Sequence, residues 1–131
     1  MRKYAILYGE RNKIEVKPSK WREWRHKVMS KKNVLVLFGG RSSEHEVSCV
    51  SATTVISNMD REAYEIYAVG ITKEGRWLLV DTVEEIQSGS WVNSKKQAVL
   101  SPDTTQKALY VTENGEYKKI TIDVAFPVLH G

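Results

Sequence analysis

The sequence predicts an α/β domain with a mainly parallel sheet, and three observations predict it. Val34-Leu35-Val36-Leu37-Phe38 is apolar without alternation, the pattern of a strand buried on both faces. Gly39-Gly40 stops that run, and Ala52, Val55, Ile56 and Met59 then recur at the i, i+3, i+4, i+7 spacing of one helix face. Tyr64-Glu65-Ile66-Tyr67-Ala68-Val69-Gly70-Ile71 reads as a second strand. Strand, glycine turn, helix and strand open a βαβ unit, with a right-handed crossover and parallel strands. Ligands in such sheets sit beyond the carboxyl ends of the strands.

Ahead of this unit stands a segment of different character. Residues 1–28 hold nine Lys or Arg and three Glu, a net of +6, whereas residues 29–131 hold eleven and thirteen, a net of −2. Tyr4-Ala5-Ile6-Leu7-Tyr8 reads as a short strand. The stretch from Arg11 is polar, basic and broken by Pro18, with Trp21 and Trp24 three apart, able to share a helix face. It reads either as a basic amphipathic anchor for a membrane surface or a partner, or as a poorly ordered leader over residues 1–29, since terminal segments are loose unless docked. The second is the expectation. Met29-Ser30-Lys31-Lys32 resembles a natural start, so the domain is expected over residues 30–131.

After the second strand, Arg76-Trp77-Leu78-Leu79-Val80 reads as a shorter strand, and residues 82–90 as a brief helix around Val83 and Ile86. Gln97 to Ser101 is extended and stopped by Pro102-Asp103. Ala108 to Thr112 and Tyr117 to Ile122 flank Glu113-Asn114-Gly115-Glu116, a hairpin with Asn-Gly at its turn. Val124-Ala125-Phe126 reads as a last strand, ended by Pro127, which cannot donate to a central ladder.

Composition narrows the function. The chain has 131 residues, enough for one domain with a real core. No window approaches the roughly 18 consecutive apolar residues of a membrane span. The single cysteine, Cys49, excludes an internal disulfide and reads as a small apolar group rather than a nucleophile. Because the basic excess belongs to the leader, the domain offers no phosphate-neutralising surface for nucleic acid. A soluble cytoplasmic protein without membrane or nucleic-acid partners is expected.

The turn Leu37-Phe38-Gly39-Gly40-Arg41-Ser42-Ser43-Glu44-His45-Glu46-Val47-Ser48 crowds hydroxyls, two carboxylates and a histidine at a strand's carboxyl end. No Gly-Lys followed by Ser or Thr marks a P-loop there, and the third glycine of a dinucleotide fingerprint is absent. Glu44-His45-Glu46 lacks the H-E-x-x-H spacing of a zinc helix, and no G-x-S-x-G elbow is present. Ser43-Glu44-His45-Glu46 has the form of a capping box, which assigns Glu46 to the helix start. Ser48 reads as helix surface or a local hydrogen bond. Glu44 is not needed for that cap. It is either an acid favoured by the helix dipole or a carboxylate that holds a cationic group such as an ammonium. His130, alone after an apolar run, reads as either a structural or a site residue. Arg41 reads as either an anion ligand or a solvated side chain.

The run Leu37-Phe38-Gly39-Gly40-Arg41-Ser42-Ser43-Glu44-His45-Glu46-Val47-Ser48-Cys49-Val50-Ser51-Ala52 resembles the opening of the D-alanine–D-alanine ligase family. The resemblance continues through Tyr67-Ala68-Val69-Gly70-Ile71-Thr72, Gly75, Trp77 and Ala98-Val99-Leu100-Ser101-Pro102. It ends in Asp123-Val124-Ala125-Phe126-Pro127-Val128-Leu129-His130-Gly131, covering residues 32–131. It implies a Rossmann-like, three-layer domain of the pre-ATP-grasp type, truncated before the ATP-grasp domain of a cytoplasmic enzyme of peptidoglycan precursor synthesis, and hence of cell-wall biogenesis and cell shape.

By the same resemblance, Glu44 holds the ammonium of the first D-alanine, Val47 lines its methyl pocket and His130 lies near the same substrate; Glu44 and His130 are then the catalytic pair. The implied reaction runs through a D-alanyl phosphate made from ATP with Mg2+, both bound by the domain that follows, so no cofactor or metal is expected in this chain and the fragment alone is expected to be inactive. A homodimeric parent is implied. Two rivals stand beside this reading: a ligase joining D-alanine to D-lactate or D-serine, and a stand-alone ligand-binding or interaction module. The family sequence continues into Gly-Glu-Asp-Gly where this chain stops, and residues 1–28 match nothing in it.

Overall fold

Strand β3 (Lys32–Gly39) carries the core, because its alternate residues supply two separate hydrophobic clusters. Val34, Val36 and Phe38 face one side, and Leu35 and Leu37 the other. All five are buried, as the unbroken apolar run demands. The computed structural model describes residues 3–6, 13–22 and 30–131. The chain divides into two units, Met1–Lys31 and Lys32–Gly131.

In the second unit, β3 leads into α1 (His45–Asn58) and then β4 (Tyr64–Ile71). β5 (Trp77–Val80), α2 (Val83–Ser88), a 3-10 turn (Ser90–Asn93), β6 (Gln97–Leu100), β7 (Ala108–Glu113), β8 (Glu116–Thr121) and β9 (Val124–Pro127) follow. The seven strands of this unit form one sheet in the order β8-β7-β6-β5-β4-β3-β9. β3 pairs in parallel with β4, from Lys32↔Tyr64 to Gly39↔Ile71, and with β9, from Val34↔Val124 to Leu37↔Pro127. The other four pairings are antiparallel. The α/β class stands, but the expectation of a mainly parallel sheet is corrected. The physical reason lies in the connections. A parallel crossover needs a dozen or more residues, whereas β4 and β5 are joined by residues 72–76 and β7 and β8 by Asn114-Gly115. Asn114 (φ 53°) and Gly115 (φ 79°) both take the left-handed conformation of the expected tight hairpin turn.

The two faces are covered differently. On one, Ala52 and Ile56 of α1, Ile86 of α2 and Trp91 of the 3-10 turn pack on Val34, Val36, Phe38, Ala68 and Val80. On the other, the cluster of Leu35, Leu37, Val69, Leu79, Ala98, Leu109, Val111, Ile120 and Ile122 contains no helical residue. The sheet covers that face itself by curling. A flat sheet of this strand number would be about 29 Å wide at about 4.8 Å per step. Yet β8 and β9, at opposite edges, are joined by Ile122 and Asp123 alone, a reach of no more than about 11 Å. Hydrogen bonds close the seam: Asn33 N donates to Asp123 Oδ2 (2.7 Å), Asn33 Nδ2 to Thr121 O (2.7 Å) and Asp123 N to Asn33 O (2.8 Å). The helical layer expected on this side is therefore replaced, among the described residues, by the antiparallel strands.

The 3-10 turn went unrecognised in the sequence, and it places the largest side chain of the helical face. Trp91 is 2% exposed, meets Phe38 edge-on with ring centroids 5.0 Å apart, and stacks on His45 at 5.9 Å. It packs against Gly70, where a Cβ would approach Trp91 Cζ3 to 2.4 Å, so only glycine permits this contact.

In the first unit, β1 (Lys3–Ile6) pairs antiparallel with β2 (Lys13–Val16), from Lys3↔Val16 to Ile6↔Lys13, followed by a 3-10 turn at Pro18–Lys20. The strand expected at Tyr4–Tyr8 is present as far as Ile6; Leu7 and Tyr8 lie outside the described residues. Trp21 is helical, but Trp24 lies outside them, as does much of the leader expected to be loose.

Candidate functional site

The carboxyl ends of the parallel strands β3 and β9 lie side by side, and the crowded turn is folded between them. Gly39, at φ +84°, redirects the chain; a Cβ there would lie 2.3 Å from Ile71 O, so any other residue is both strained and blocked. Gly40 N then donates to the same carbonyl at 2.8 Å. Three serines hold the two strand ends together. Ser48, wholly buried, accepts from Gly39 N (2.8 Å) and donates to Val128 O (2.5 Å). Ser42 Oγ accepts from Glu44 N (3.0 Å) and donates to His130 O (2.9 Å). Ser51 Oγ lies 3.1 Å from His130 Nε2.

This arrangement corrects two local readings. The capping box does not form: Glu44 occupies the N-cap position, with no side-chain cap bond, and its carbonyl accepts from Ser48 N at 3.0 Å. Ser42, not Ser43, satisfies a free N–H of the turn. Glu46 instead pairs with Lys73, from the turn after β4, at 2.5 Å. That hydrogen bond and the ammonium charge hold the Glu46 carboxyl below its ordinary value and raise Lys73 above its own. Ser48, read as a surface or locally bonded residue, is instead the buried clamp between strands. His45 is buried as well, its Nδ1 donating to Gly40 O at 2.9 Å, so it serves the turn's structure. Burial raises the Cys49 thiol above its ordinary value, in keeping with an unreactive apolar role.

Glu44 and His130, distant in sequence, come together. His130 Nδ1 lies 3.8 Å from Glu44 Oε2, and both side chains remain partly open to solvent, at 35% and 52%. Val47, three residues after Glu44 on α1, is half-exposed. Glu44, Val47 and Ser51 fall at i, i+3 and i+7, so they line one face of the helix's first turns. Ser51 went unremarked in the sequence, although this spacing places it in line with Glu44. A carboxylate left free of capping and an imidazole thus meet at the surface, with an apolar side chain one helical turn along from the carboxylate. A separate cavity of about 710 Å3, lined by His45, Glu46, Cys49, Thr53, Lys73 and Trp91, among others, opens off a different face of α1 and includes neither Glu44 nor His130. Among the described residues, no three of His, Cys, Asp and Glu gather as ligands for a metal ion, and no helix is long and apolar enough to cross a membrane.

The sequence model described as "D-ala D-ala ligase N-terminus" matches residues 33–131. The chain belongs to this family. A D-alanine–D-alanine ligase of Caldicellulosiruptor bescii is 50% identical over 103 residues, which cover 79% of this chain and 28% of that protein. Among solved structures, the VanG D-Ala:D-Ser ligase of Enterococcus faecalis superposes with a TM-score of 0.69 at 32% identity, over 78% of this chain and 30% of that one. The D-alanine–D-alanine ligase of Coxiella burnetii superposes with a TM-score of 0.61 at 27% identity, over 77% and 29%. The chain thus spans under a third of the length of the ligases it matches. The family match begins at the foot of β3 and leaves the first unit outside it.

Proposed function

We propose that residues 33–131 form the substrate-binding N-terminal domain of an ATP-dependent ligase that joins D-alanine to a second D-alanine in the cytoplasm, in the synthesis of peptidoglycan precursors. The observation that carries this reading is the convergence of Glu44 and His130 at 3.8 Å at the adjoining ends of β3 and β9, in a chain of this family. In the proposal, the Glu44 carboxylate holds the ammonium of the first D-alanine, and Val47 meets its methyl group. His130 lies near the same substrate. The pairing is charge-assisted.

ATP supplies the activation of the first substrate's carboxylate in this reaction. The sequence carries no P-loop spelling, and among the described residues no three of His, Cys, Asp and Glu gather as metal ligands. As the family resemblance implies, we assign ATP and Mg2+ to the part of the relatives' length outside this segment. We assign the choice of second substrate to the same portion, since a ligase named for D-alanine and one named for D-serine both match this segment.

The test uses a full-length relative in which residues 33–131 replace the equivalent segment. Glu44→Gln keeps the shape and removes the charge. It should weaken use of the first D-alanine by about 1.5–3 kcal/mol, the worth of a charge-assisted hydrogen bond. Glu46→Gln should leave the constant for that site unchanged. The reverse pattern would overturn the assignment of the two carboxylates.

A further inference from the structure

We propose that Ser51 is a positioning residue for His130: its hydroxyl fixes the imidazole in the Nδ1–H tautomer, with that N–H turned toward Glu44. The inference rests on the Glu44–His130 reading above and extends it to a residue that the reading does not use. Two contacts define His130. Ser42 Oγ donates to its carbonyl at 2.9 Å and fixes the backbone, while Ser51 Oγ lies 3.1 Å from Nε2 and sets the ring.

The tautomer follows from what faces the other nitrogen. Nδ1 lies 3.8 Å from Glu44 Oε2. A carboxylate accepts and does not donate, so a bare Nδ1 lone pair against it is repelled and an Nδ1–H is attracted. With the proton on Nδ1, Nε2 is an acceptor, and Ser51 is the group placed to donate to it. The chain Ser51 Oγ–H to Nε2, then Nδ1–H toward Glu44, therefore satisfies every polarity in one direction only. A hydrogen bond on one ring nitrogen sets which nitrogen carries the proton. The consequence for the site is orientational. His130 presents a donor to Glu44, which draws one carboxylate oxygen to the ring and leaves the other for a cationic group. Ser51 acts on Glu44 through the imidazole and touches no substrate.

The experiment is imidazole 15N NMR on the full 131-residue chain, labelled at histidine, at about pH 9, where imidazoles are neutral. His130→Gln identifies the signals. The expected result is the Nδ1–H tautomer in the unmodified chain. Ser51→Ala should shift the tautomer ratio about tenfold toward Nε2–H, the weight of one hydrogen bond. Ser51→Thr, which keeps the hydroxyl, should restore it. An Nε2–H tautomer in the unmodified chain, or a ratio indifferent to Ser51→Ala, would overturn the proposal. Should Ser51→Ala fail to fold, Ser51→Cys, which keeps the size and weakens the donor, should shift the ratio in the same direction, and an unchanged ratio would overturn the proposal. No substrate enters the measurement, so it can fail while the D-alanine reading holds, and can succeed while that reading fails.

Discussion

Replacing Ser48 with alanine removes one oxygen and two hydrogen bonds. Ser48 is fully buried, accepts from Gly39 N at 2.8 Å and donates to Val128 O at 2.5 Å. The vacated space is that of a single hydroxyl, less than a water's share of about 30 Å3, so no solvent molecule replaces it. A buried polar group left without a partner costs about 1–3 kcal/mol. Gly39 N is buried and takes the full penalty; Val128 O lies in a partly buried bond and takes the lower end. Alanine returns about 0.5 kcal/mol of helix propensity. The net loss is about 2–3 kcal/mol, a large share of the about 5–15 kcal/mol that stabilises a small domain. Urea unfolding of both chains, followed by tryptophan fluorescence, measures it. Hydrogen exchange at Val128 N, which donates to Leu37 O at 2.7 Å, should quicken as β9 loosens from β3. A loss below about 0.5 kcal/mol, under the net worth of one ordinary hydrogen bond, would show that the two strand ends do not depend on this serine.

Further outcomes follow from the packing and the charges. Trp91→Ala should cost about 3–5 kcal/mol, since the ring is buried over Gly70 against Phe38 and His45; thermal or chemical melts check this. Deleting residues 1–31, a separate unit outside the family match, should cost less than about 2 kcal/mol, the scale of one buried side chain. Glu46→Gln removes an exposed pair with Lys73. Because Lys73 holds the folded carboxyl below its ordinary 4.5, the pair stabilises above that pH and its contribution disappears as pH falls through the lowered value. The two chains should therefore differ slightly at neutral pH and low salt, and coincide in acid or in high salt. A difference that survives both conditions would mean that Glu46 has a structural role apart from Lys73.

Elements governed by local pattern were legible in the sequence. β3 and β4, the helix after Gly40, the Asn-Gly hairpin and the last strand ending at Pro127 follow from apolar runs, helical spacing and turn residues. Strand direction was not, because period alone says nothing of it. The short links after β4 and β7 carried that information and forbid a crossover, but the βαβ opening was extended to the whole sheet. The curl that joins β8 to β9 depends on long-range hydrogen bonds from Asn33 and on nothing local. The serines show the same limit at the site. Ser48 occupies the buried stripe with Ala52 and Ile56, yet a hydroxyl there reads as surface until its strand partners are known. The nearness of His130 to Glu44 came only from a resemblance, since 86 positions separate them in the sequence and β9 alone closes the gap.

The central claim is that this segment binds the first amino acid of a ligase reaction. The direct measurement is D-alanine-dependent phosphate and dipeptide release by a full-length relative carrying residues 33–131 of this chain in place of its own, with ATP and Mg2+ supplied. The account predicts ligation by that protein and none by the 131-residue chain alone. A folded, ATP-binding chimera that releases neither product, or turnover by the 131-residue chain above a no-enzyme control, would contradict it.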